Sequence, residues 1–265
     1  MIKSGAATCS TFLRNFRDYV GSTKLVALIT VEHIESFLNT GGVKKKDWES
    51  VTRDNYSQVI HTFFNWCIRK DYVKENPCSK LEEINVDPFD PSILSVDECI
   101  KLLNFCYYNH PEVLPLLVFN LFLGIRPSEC MRLRKPDVRC KDNEVVLPAK
   151  KTKTQRRRFV TISDNARAWL ELTEFELPLI NANHKWDDFL RGAKKLLNYK
   201  KWPHDCLRHS YCSYGLRYYE DSAKISLQAG NTESVMHKHY IRMVEMDDAK
   251  EFWNIFPKEV LKKAA

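Results

Sequence analysis

Tyr240 stands in the stretch "HKHYIRM" (residues 237–243), among two histidines, a lysine and an arginine. A phenol has a reference pKa near ~10, so at neutral pH it is a poor nucleophile unless nearby groups favour its anion. The surrounding cations could supply that stabilisation, or Tyr240 could be an ordinary core aromatic of a helix. Residues upstream decide between these two alternatives.

Three upstream stretches contain residue types that suit the same chemistry. Arg126 follows a glycine in "LGIRPSEC", Arg208 and His209 lie in "WPHDCLRHSYCSYGL", and cations crowd "AKKTKTQRRRFVTI". Two guanidinium groups can hold the non-bridging oxygens of a phosphodiester and stabilise its pentavalent transition state. A lysine ammonium can protonate the departing 5′ oxygen. The set predicts attack on a phosphodiester without a metal or another cofactor, since the sequence offers no evident carboxylate cluster for Mg²⁺.

Length and composition predict a soluble globular protein with one large domain or two smaller ones. The chain has 265 residues, of which 44% are hydrophobic and 28% charged. Its start has no apolar signal-peptide region, and its most apolar stretch, "VLPLLVFNLFLGI", is too short to span a bilayer. The nine cysteines include no CxxC pair, which favours reduced thiols over zinc or disulfides. We therefore expect a cytoplasmic protein with no membrane partner.

The net charge of +7 is unevenly distributed. Residues 1–90 hold 12 Lys/Arg and 12 Asp/Glu, so residues 91–265 carry the whole excess, 29 against 22. A basic second part indicates a polyanionic partner, although a solvated basic surface explains the charge equally well.

The pattern of apolar residues predicts two domains. Residues 1–86 have the helical periodicity of a bundle, with a Thr30 cap before "VEHIESFL" and an apolar stripe in "YSQVIHTFFNWC". Two prolines indicate a linker over residues 87–94. The second domain, residues 95–265, opens with a Ser95–Glu98 capping box and contains three short β-favouring runs, "DVRC", "EVVLPA" and "RRFVTI". We predict a mainly α fold with a small antiparallel β-sheet (α+β).

The four chemical stretches resemble the catalytic motifs of the tyrosine recombinases (phage integrase family). "GIRPSE" (residues 124–129) matches the GxRxxE motif that contains the first arginine of that family, and "LRH" (residues 207–209) matches the motif of the second. The nucleophile of the family lies nine residues after the histidine of a "GH" pair, and Tyr240 lies nine residues after Asn231 in "GN". Order and spacing agree across residues 121–240.

This resemblance implies a helical core-binding domain and a catalytic domain that clamp double-stranded DNA. Such enzymes, which serve mobile genetic elements, perform DNA integration and recombination at specific sites through a 3′-phosphotyrosyl intermediate, without metal or ATP. They act as homotetramers on two DNA sites, so we expect a monomer or dimer without DNA. The family also implies a prokaryotic cytoplasm, with the protein on the nucleoid when bound. The C-terminal helix, in "DDAKEFWNIFPKEVL", could dock on a partner subunit or fold back on its own domain.

Site roles follow from the same resemblance. Tyr240 is the predicted nucleophile, Arg126 and Arg208 hold the phosphate, and Lys153, eight residues before Thr161, is the predicted proton donor. Further catalytic candidates are His209, Asn231 and Asp205, and supporting candidates are Glu129, His204 and His239. The DNA-binding candidates are Lys150, Lys151, Arg156, Arg157 and Arg158, of which Lys151 is also the alternative proton donor.

Two positions depart from the family pattern. Asp205 stands where the family has the histidine of HxxR, with His204 one place earlier as a substitute. Asn231 stands where the family has His or Trp, and its amide can also donate to a phosphate. Asp205 could act as a base or as a helix cap. The departures leave open a catalytically impaired DNA-binding protein on the same scaffold. Two further alternatives are a relaxase similar to type IB topoisomerases and a helical regulatory protein whose motifs match by coincidence.

Overall fold

The computed structural model describes residues 2–45, 47–86, 91–151, 157–240 and 243–258. The chain divides into two compact units, Met1–Phe89 and Asp90–Ala265. Each unit has its own hydrophobic core. The described part is dominated by helices with one small sheet, so the predicted fold class is confirmed.

The described residues of the first unit form three α-helices: α1 (Ile2–Val20), α2 (Val31–Thr40) and α3 (Ser50–Arg69). Thr30 is the N-cap of α2, as predicted, and its backbone N–H donates to Nδ1 of His33. The core consists of apolar residues three and four positions apart on α2 and α3, because this spacing places them on one helix face. Its fully buried members are Ile34, Phe37, Ile60 and Phe64.

The second unit begins with α4 (Val96–Asn109), α5 (Leu114–Leu121) and the single turn α6 (Pro127–Cys130). The predicted capping box of α4 is confirmed, since Ser95 Oγ accepts from the N–H of Glu98 and Oε2 of Glu98 accepts from the N–H of Ser95. Every residue of α5 is buried, which explains why "LPLLVFNL" is apolar on all sides.

Part of the predicted linker belongs to the second unit. Residues 87–90 lie outside the described ranges, but Leu94 is fully buried. Its N–H donates to Ser210 Oγ at 2.8 Å, and its carbonyl accepts from the hydroxyl of Tyr214 at 2.9 Å. The prolines at 88 and 91 indicate a break between domains, but they do not reveal that the chain is already packed on the second core by residue 94.

A three-stranded antiparallel sheet, in the order β1–β2–β3, follows α6. Its strands are β1 (Val138–Arg139), β2 (Glu144–Leu147) and β3 (Arg158–Thr161), which confirms the prediction. Val145 pairs with Val160 and Leu147 with Arg158. The alternation of β3 places Arg158 and Val160 on the buried face and Phe159 and Thr161 on the exposed face.

Six more α-helices follow the sheet in the part of the second unit that the structure describes. They are α7 (Asp164–Leu170), α8 (Ile180–Leu196), α9 (Cys206–Tyr219), α10 (Ser222–Ala229), α11 (Glu233–His239) and α12 (Met246–Trp253). Four tyrosines of α9, at 211, 214, 218 and 219, rival Tyr240 as nucleophile by chemistry alone, although their place on the helix of Arg208 predicts a packing role. Tyr211 and Tyr214 are buried in the core, whereas Tyr218 and Tyr219 are 42% and 38% exposed.

The C-terminal helix α12 packs against its own unit, as in the second of the two alternatives predicted for it, while docking on a partner subunit stays a prediction. Phe252 is fully buried and stacks on Tyr214 with ring centroids 4.3 Å apart. The indole N–H of Trp169 donates to the carbonyl of Ile255 at 2.9 Å. An apolar helix face shows that a surface must cover it, but its sequence does not say whether that surface belongs to the same subunit. Residues 259–265 lie outside the described ranges.

Candidate active site

Arg208 lies in the first turn of α9, and its side chain is 4% exposed. Its guanidinium donates to the carbonyl oxygen of Gly124, to that of Ala229 at 2.5 Å and to Oδ1 of Asn231 at 3.0 Å. Gly124 adopts a left-handed conformation, and a Cβ there would lie 2.2 Å from a ring carbon of Tyr211. The glycine of the "LGIR" stretch therefore allows the chain to turn beside Tyr211 and present its carbonyl to Arg208.

Arg126, at the N-cap of α6, lies beside Arg208. Its Nη2 donates to Oδ1 of Asn231 at 3.2 Å, while its Nη1 makes no hydrogen bond to the described residues and lies 3.6 Å from Oε1 of Glu129. Burial, followed by the charge of Arg208, lowers the pKa of Arg126. Two neighbouring guanidinium groups that repel each other form a place where a bound anion is favourable.

Asn231 joins the two arginines. It lies between the left-handed Gly230 that ends α10 and Thr232, the N-cap of α11, whose Oγ1 accepts from the N–H of Val235. Its Oδ1 accepts from both guanidinium groups, which can only donate. This fixes the orientation of the amide and leaves Nδ2 as a donor, as predicted for a residue in place of His or Trp.

Tyr240 follows α11 directly and is 4% exposed. Its hydroxyl lies 2.6 Å from Nδ1 of His209. Burial raises the pKa of Tyr240 well above its usual value and Cys212 adds to the rise, while the charges of Arg208 and Arg126 act in the opposite direction. The phenol is therefore protonated in the free protein at neutral pH. Its place beside His209 and within the influence of both arginines agrees with the predicted grouping.

His209 is the group positioned to take the proton of Tyr240. Burial lowers its pKa to about 4, with Asp205 opposing the shift and Arg208 adding to it. At neutral pH the imidazole is thus uncharged, and Nδ1 can accept a hydrogen bond from the phenol. His209 lies in the first turn of α9, directly after Arg208, and this start of the helix sets the position of its side chain.

Asp205 occupies the N-cap position of α9 but does not cap it with its side chain. The residue is left-handed, with φ of 52°, and only its backbone carbonyl accepts from the N–H of His209. The alternative of a side-chain cap is therefore wrong. The charge of Asp205 opposes the lowering of the His209 pKa that burial causes, and it adds to the raising of the Tyr240 pKa. Burial is the larger effect on both pKa values.

The two remaining histidine candidates differ in position. The side chain of His204 is 92% exposed and its Nδ1 lies 3.7 Å from Oδ2 of Asp205, so the structure does not bring it to Tyr240. The prediction that His204 substitutes for the missing histidine is wrong in this conformation, since the helix begins one residue after Asp205. His239 is partly buried, with its ring centroid 6.5 Å from that of Tyr240.

Arg158 is buried, so the prediction that it contacts DNA is wrong. Its side chain is 4% exposed, and its guanidinium donates to Glu129 Oε1 at 3.2 Å and Oε2 at 2.6 Å. Its Nε donates to the carbonyl oxygen of Gln228 at 2.9 Å. The run of cations concealed this role, whereas the alternation of "RFVTI" could have revealed it, because Arg158 shares a strand face with Val160.

DNA contact by the other hairpin cations stays a prediction. Lys150 is exposed, and so is Arg157, whose guanidinium lies 4.8 Å from the ring centroid of Phe159. Lys153 and Arg156 lie outside the described residues. Lys151 ends a 3₁₀ turn (Ala149–Lys151), and its side chain is likewise outside the description.

The described residues offer neither a metal-binding cluster nor a helix that could span a membrane. They contain no group of three or more His, Cys, Asp or Glu side chains arranged to hold a metal ion. None of their helices has both the length and the apolar character needed to cross a bilayer.

Curated proteins with similar sequences include recombinase relatives, although no protein-family model matches the chain. A tyrosine recombinase of Thermosipho africanus (strain TCF52B) is 24% identical over 220 residues, which cover 77% of this chain and 76% of that protein. IntQ of Escherichia coli (strain K12), which is named as a defective protein, is 22% identical over 156 residues. These cover 55% of this chain and 39% of IntQ, so the chain spans well under half of that relative.

Solved structures with similar folds include integrases bound to DNA. A lambda integrase dimer on a COC′ core site has a TM-score of 0.72 and 12% identity, with 91% of both chains covered. A lambda integrase tetramer on a Holliday junction has a TM-score of 0.70 and 12% identity, with 91% of this chain and 74% of that chain covered. The Tn1549 transposon integrase with transposon right end DNA has a TM-score of 0.68 and 13% identity, covering 97% and 92%.

The fold is therefore that of the tyrosine recombinases. The curated similarity and the shared fold confirm the resemblance to the tyrosine recombinase family that the motifs predict.

Proposed function

We propose that the protein cleaves and rejoins double-stranded DNA at specific sites through a 3′-phosphotyrosyl intermediate at Tyr240. One observation carries the proposal: a chain of hydrogen bonds connects Tyr240 to both arginines of the site. The hydroxyl of Tyr240 is hydrogen-bonded to His209, which follows Arg208 in the sequence. The guanidinium groups of Arg208 and Arg126 both donate to Oδ1 of Asn231. The order of these residues along the chain also matches the family motifs.

The two arginines and Asn231 would hold the scissile phosphate. Arg126 Nη1 has no hydrogen-bond partner among the described residues, and the guanidinium groups donate to Oδ1 of Asn231, which leaves its Nδ2 as a donor. Both can donate to non-bridging oxygens, and the positive charges stabilise the transition state most strongly where the added negative charge develops. Because these side chains supply the positive charge, the proposed reaction needs no metal ion.

Proton transfer would accompany the attack, because Tyr240 is protonated in the free protein. The phenolic oxygen bonds to phosphorus, its proton passes to Nδ1 of His209, and the bond to the 5′ oxygen breaks. Lys153 protonates that departing oxygen. Rejoining reverses the steps: a 5′ hydroxyl attacks the phosphotyrosyl bond, and His209 returns the proton to Tyr240. The phosphoester energy is conserved, so no ATP is consumed.

The partner we propose is duplex DNA, with four copies of the chain assembled on two sites. Lambda integrase, which shares the fold, has been captured as a dimer on a core site and as a tetramer on a Holliday junction. The net positive charge of residues 91–265 and the exposed cations Lys150 and Arg157 provide attraction to phosphate. Without DNA we expect a monomer or dimer.

A second candidate function is a DNA-binding protein whose cleavage is impaired. Asp205 favours it, because a carboxylate replaces the family's histidine and contributes to raising the pKa of Tyr240. Asp205→His is expected to speed cleavage if the carboxylate is a handicap. An unchanged rate would mean that His209 already serves as the proton acceptor.

A duplex nicked close to the cleavage point separates the candidates, because loss of the short fragment traps the covalent complex. We expect a protein–DNA adduct that Tyr240→Phe abolishes, and a slower adduct with unchanged DNA affinity in Lys153→Ala. Salt-sensitive binding without an adduct would support the impaired scaffold instead. Relaxation of supercoils without strand exchange would support the topoisomerase-like alternative.

A further inference from the structure

Arg158 connects three segments that carry residues of the candidate site. It lies on β3 and pairs with Glu129 of α6, two residues from the C-cap of that turn and three after Arg126. Its Nε is bonded to the carbonyl oxygen of Gln228, close to the end of α10. A Cβ on Gly230, the residue before Asn231, would lie 2.9 Å from Nη1 of Arg158, so the guanidinium also packs against that turn.

Arg158 and Arg126 compete for the same carboxylate. Arg158 binds both oxygens of Glu129, at 3.2 and 2.6 Å, in the two-pronged geometry that suits a guanidinium and a carboxylate. Arg126 is left with a longer contact of 3.6 Å from Nη1 to Oε1, and only its backbone N–H donates to Oε2. Because Glu129 is 1% exposed, its charge must be compensated by protein groups rather than by bulk water.

We infer that Arg158 is a positioning residue that keeps Arg126 available for the scissile phosphate by compensating Glu129. The inference rests on the proposed function of Arg126. Without Arg158, the carboxylate would draw Nη1 of Arg126 into its own ion pair, away from the phosphate. The charge on Glu129 would then act against phosphate binding instead of holding the backbone of Arg126.

An arginine is required for this role rather than any cation. Its planar group satisfies both carboxylate oxygens through Nη1 and Nη2 while Nε bonds to Gln228. A lysine ammonium in the same place is a single point of charge and cannot match this fixed fork. The burial of Arg158 also separates it from Arg157, its exposed neighbour, for which contact with DNA phosphate remains the prediction.

The test compares Arg158→Gln with the double variant Glu129→Gln/Arg158→Gln, and uses Arg157→Gln as the matched neighbour. The readouts are the single-turnover rate of adduct formation on the nicked duplex and the salt dependence of duplex affinity. We expect Arg158→Gln to slow cleavage ~100-fold with an unchanged salt slope. Removing the carboxylate as well is expected to recover at least ~10-fold of that loss. Arg157→Gln is expected to reduce the salt slope by about one phosphate contact.

Two results would overturn the inference. One is a double variant no faster than Arg158→Gln, and the other is a salt slope reduced by Arg158→Gln, which would make Arg158 a phosphate contact. If Arg158→Gln fails to fold, the double variant is tested instead, because it removes both charges of the ion pair between Glu129 and Arg158. Cleavage by the double variant as slow as cleavage by Arg126→Ala would then contradict the positioning role of Arg158.

A crystal structure of Arg158→Gln, or of an Arg158→Met variant if the former is unstable, separates this inference from the proposed function. We expect the carboxylate of Glu129 to lie within hydrogen-bond distance of Arg126 Nη1, whether or not the wild-type protein forms an adduct. An unchanged position of Arg126 would overturn the inference. Absence of a wild-type adduct would instead contradict the proposed function.

Discussion

At the scale of single residues, the hydrogen-bonded pair of Tyr240 and His209 determines how Tyr240, the proposed nucleophile, could react. Tyr240 has a raised pKa and His209 a lowered one, both because of burial. The pair therefore rests as a neutral phenol beside a neutral imidazole. In the proposed reaction, the proton leaves Tyr240 only when a bound phosphate offers a phosphorus atom to attack. The free protein therefore does not hold a reactive phenolate.

The pH dependence of cleavage tests the role of His209. Its folded pKa of about 4 lies below the reference of ~6.5, so the imidazole stays uncharged, and able to accept a proton, down to about pH 5. We expect adduct formation to be nearly constant between pH 8 and 5.5 and to fall as the pH approaches 4. His209→Ala is expected to be ~100-fold slower at pH 7. Half-maximal activity near pH 6.5, or full activity in His209→Ala, would contradict this role.

The same lowered pKa affects stability. Between pH 4 and about 6.5 the unfolded chain binds the His209 proton and the folded chain does not, so the free energy of unfolding rises with pH across this window. The contribution is fully present above about pH 6.5 and is lost as the pH falls towards 4. Equilibrium unfolding of the wild-type protein and His209→Ala across this range measures it.

The amide of Asn231 can be divided into its two roles. Asn231→Asp keeps an oxygen that accepts from both arginines but removes the Nδ2 donor. We expect the free energy of unfolding to be maintained and cleavage to slow by ~100-fold, the typical cost of one transition-state donor. Asn231→Leu, as a control, removes both roles and is expected to lower stability as well. Wild-type cleavage by Asn231→Asp would show that the donor contributes nothing.

Residue-scale prediction succeeded where chain order carries the information. The motifs predicted which residues gather around Tyr240, and the structure brings Arg126, Arg208, His209 and Asn231 together. Prediction was wrong for Arg158, because a dense run of cations resembles a solvated surface and conceals one buried member. It was also wrong for His204, because only the exact start of α9 determines which neighbour turns inward.

At the scale of elements, the turn before Arg126 depends on a glycine. Gly124 has a φ of +61°, and a Cβ there would lie 2.2 Å from the Tyr211 ring. We expect Gly124→Ala to combine backbone strain with a steric clash and to cost more than ~3 kcal/mol of unfolding free energy. Gly21→Ala is the matched control, since Gly21 also has a positive φ but has nothing within 4 Å of its Cβ position. Equal costs in urea unfolding would show that the clash is relieved.

Helix α12 provides a second test at this scale. Phe252 is fully buried between Tyr214 and Phe122, so Phe252→Ala is expected to cost ~3–5 kcal/mol of unfolding free energy in the protein without DNA. Leu227→Ala, at a 66% exposed position, is expected to change it by less than ~0.5 kcal/mol. A Phe252→Ala variant that is as stable as the wild-type protein but does not assemble on DNA would instead support the alternative that α12 docks on a partner subunit.

Elements with local signals were predictable from the sequence. The capping box of α4 and the three short β runs depend on neighbouring residues, and the structure contains them all. The position of α12 and the end of the linker depend on contacts between residues far apart in the chain, such as Phe252 with Tyr214. A single sequence gives the apolar face of an element but not the surface that covers it.

At the scale of the whole molecule, the chain combines a neutral first part with a basic second part. Residues 91–265 carry the entire net charge of +7 and also contain every residue of the candidate site. In the proposed function, long-range attraction to DNA and local stabilisation of a reacting phosphate would therefore arise from the same unit. Cleavage at a specific site would require both, since attraction alone does not distinguish sequences.

The most direct test of the account is to identify the atom that joins protein to DNA. After trapping on the nicked duplex, the adduct is digested with trypsin and nuclease, and the linked peptide is sequenced by mass spectrometry. The account predicts a single linkage from the phenolic oxygen of Tyr240 to a 3′ phosphate. Attachment at a different residue, or to a 5′ phosphate, would contradict it, as would the lack of any covalent complex under conditions where the protein binds the duplex.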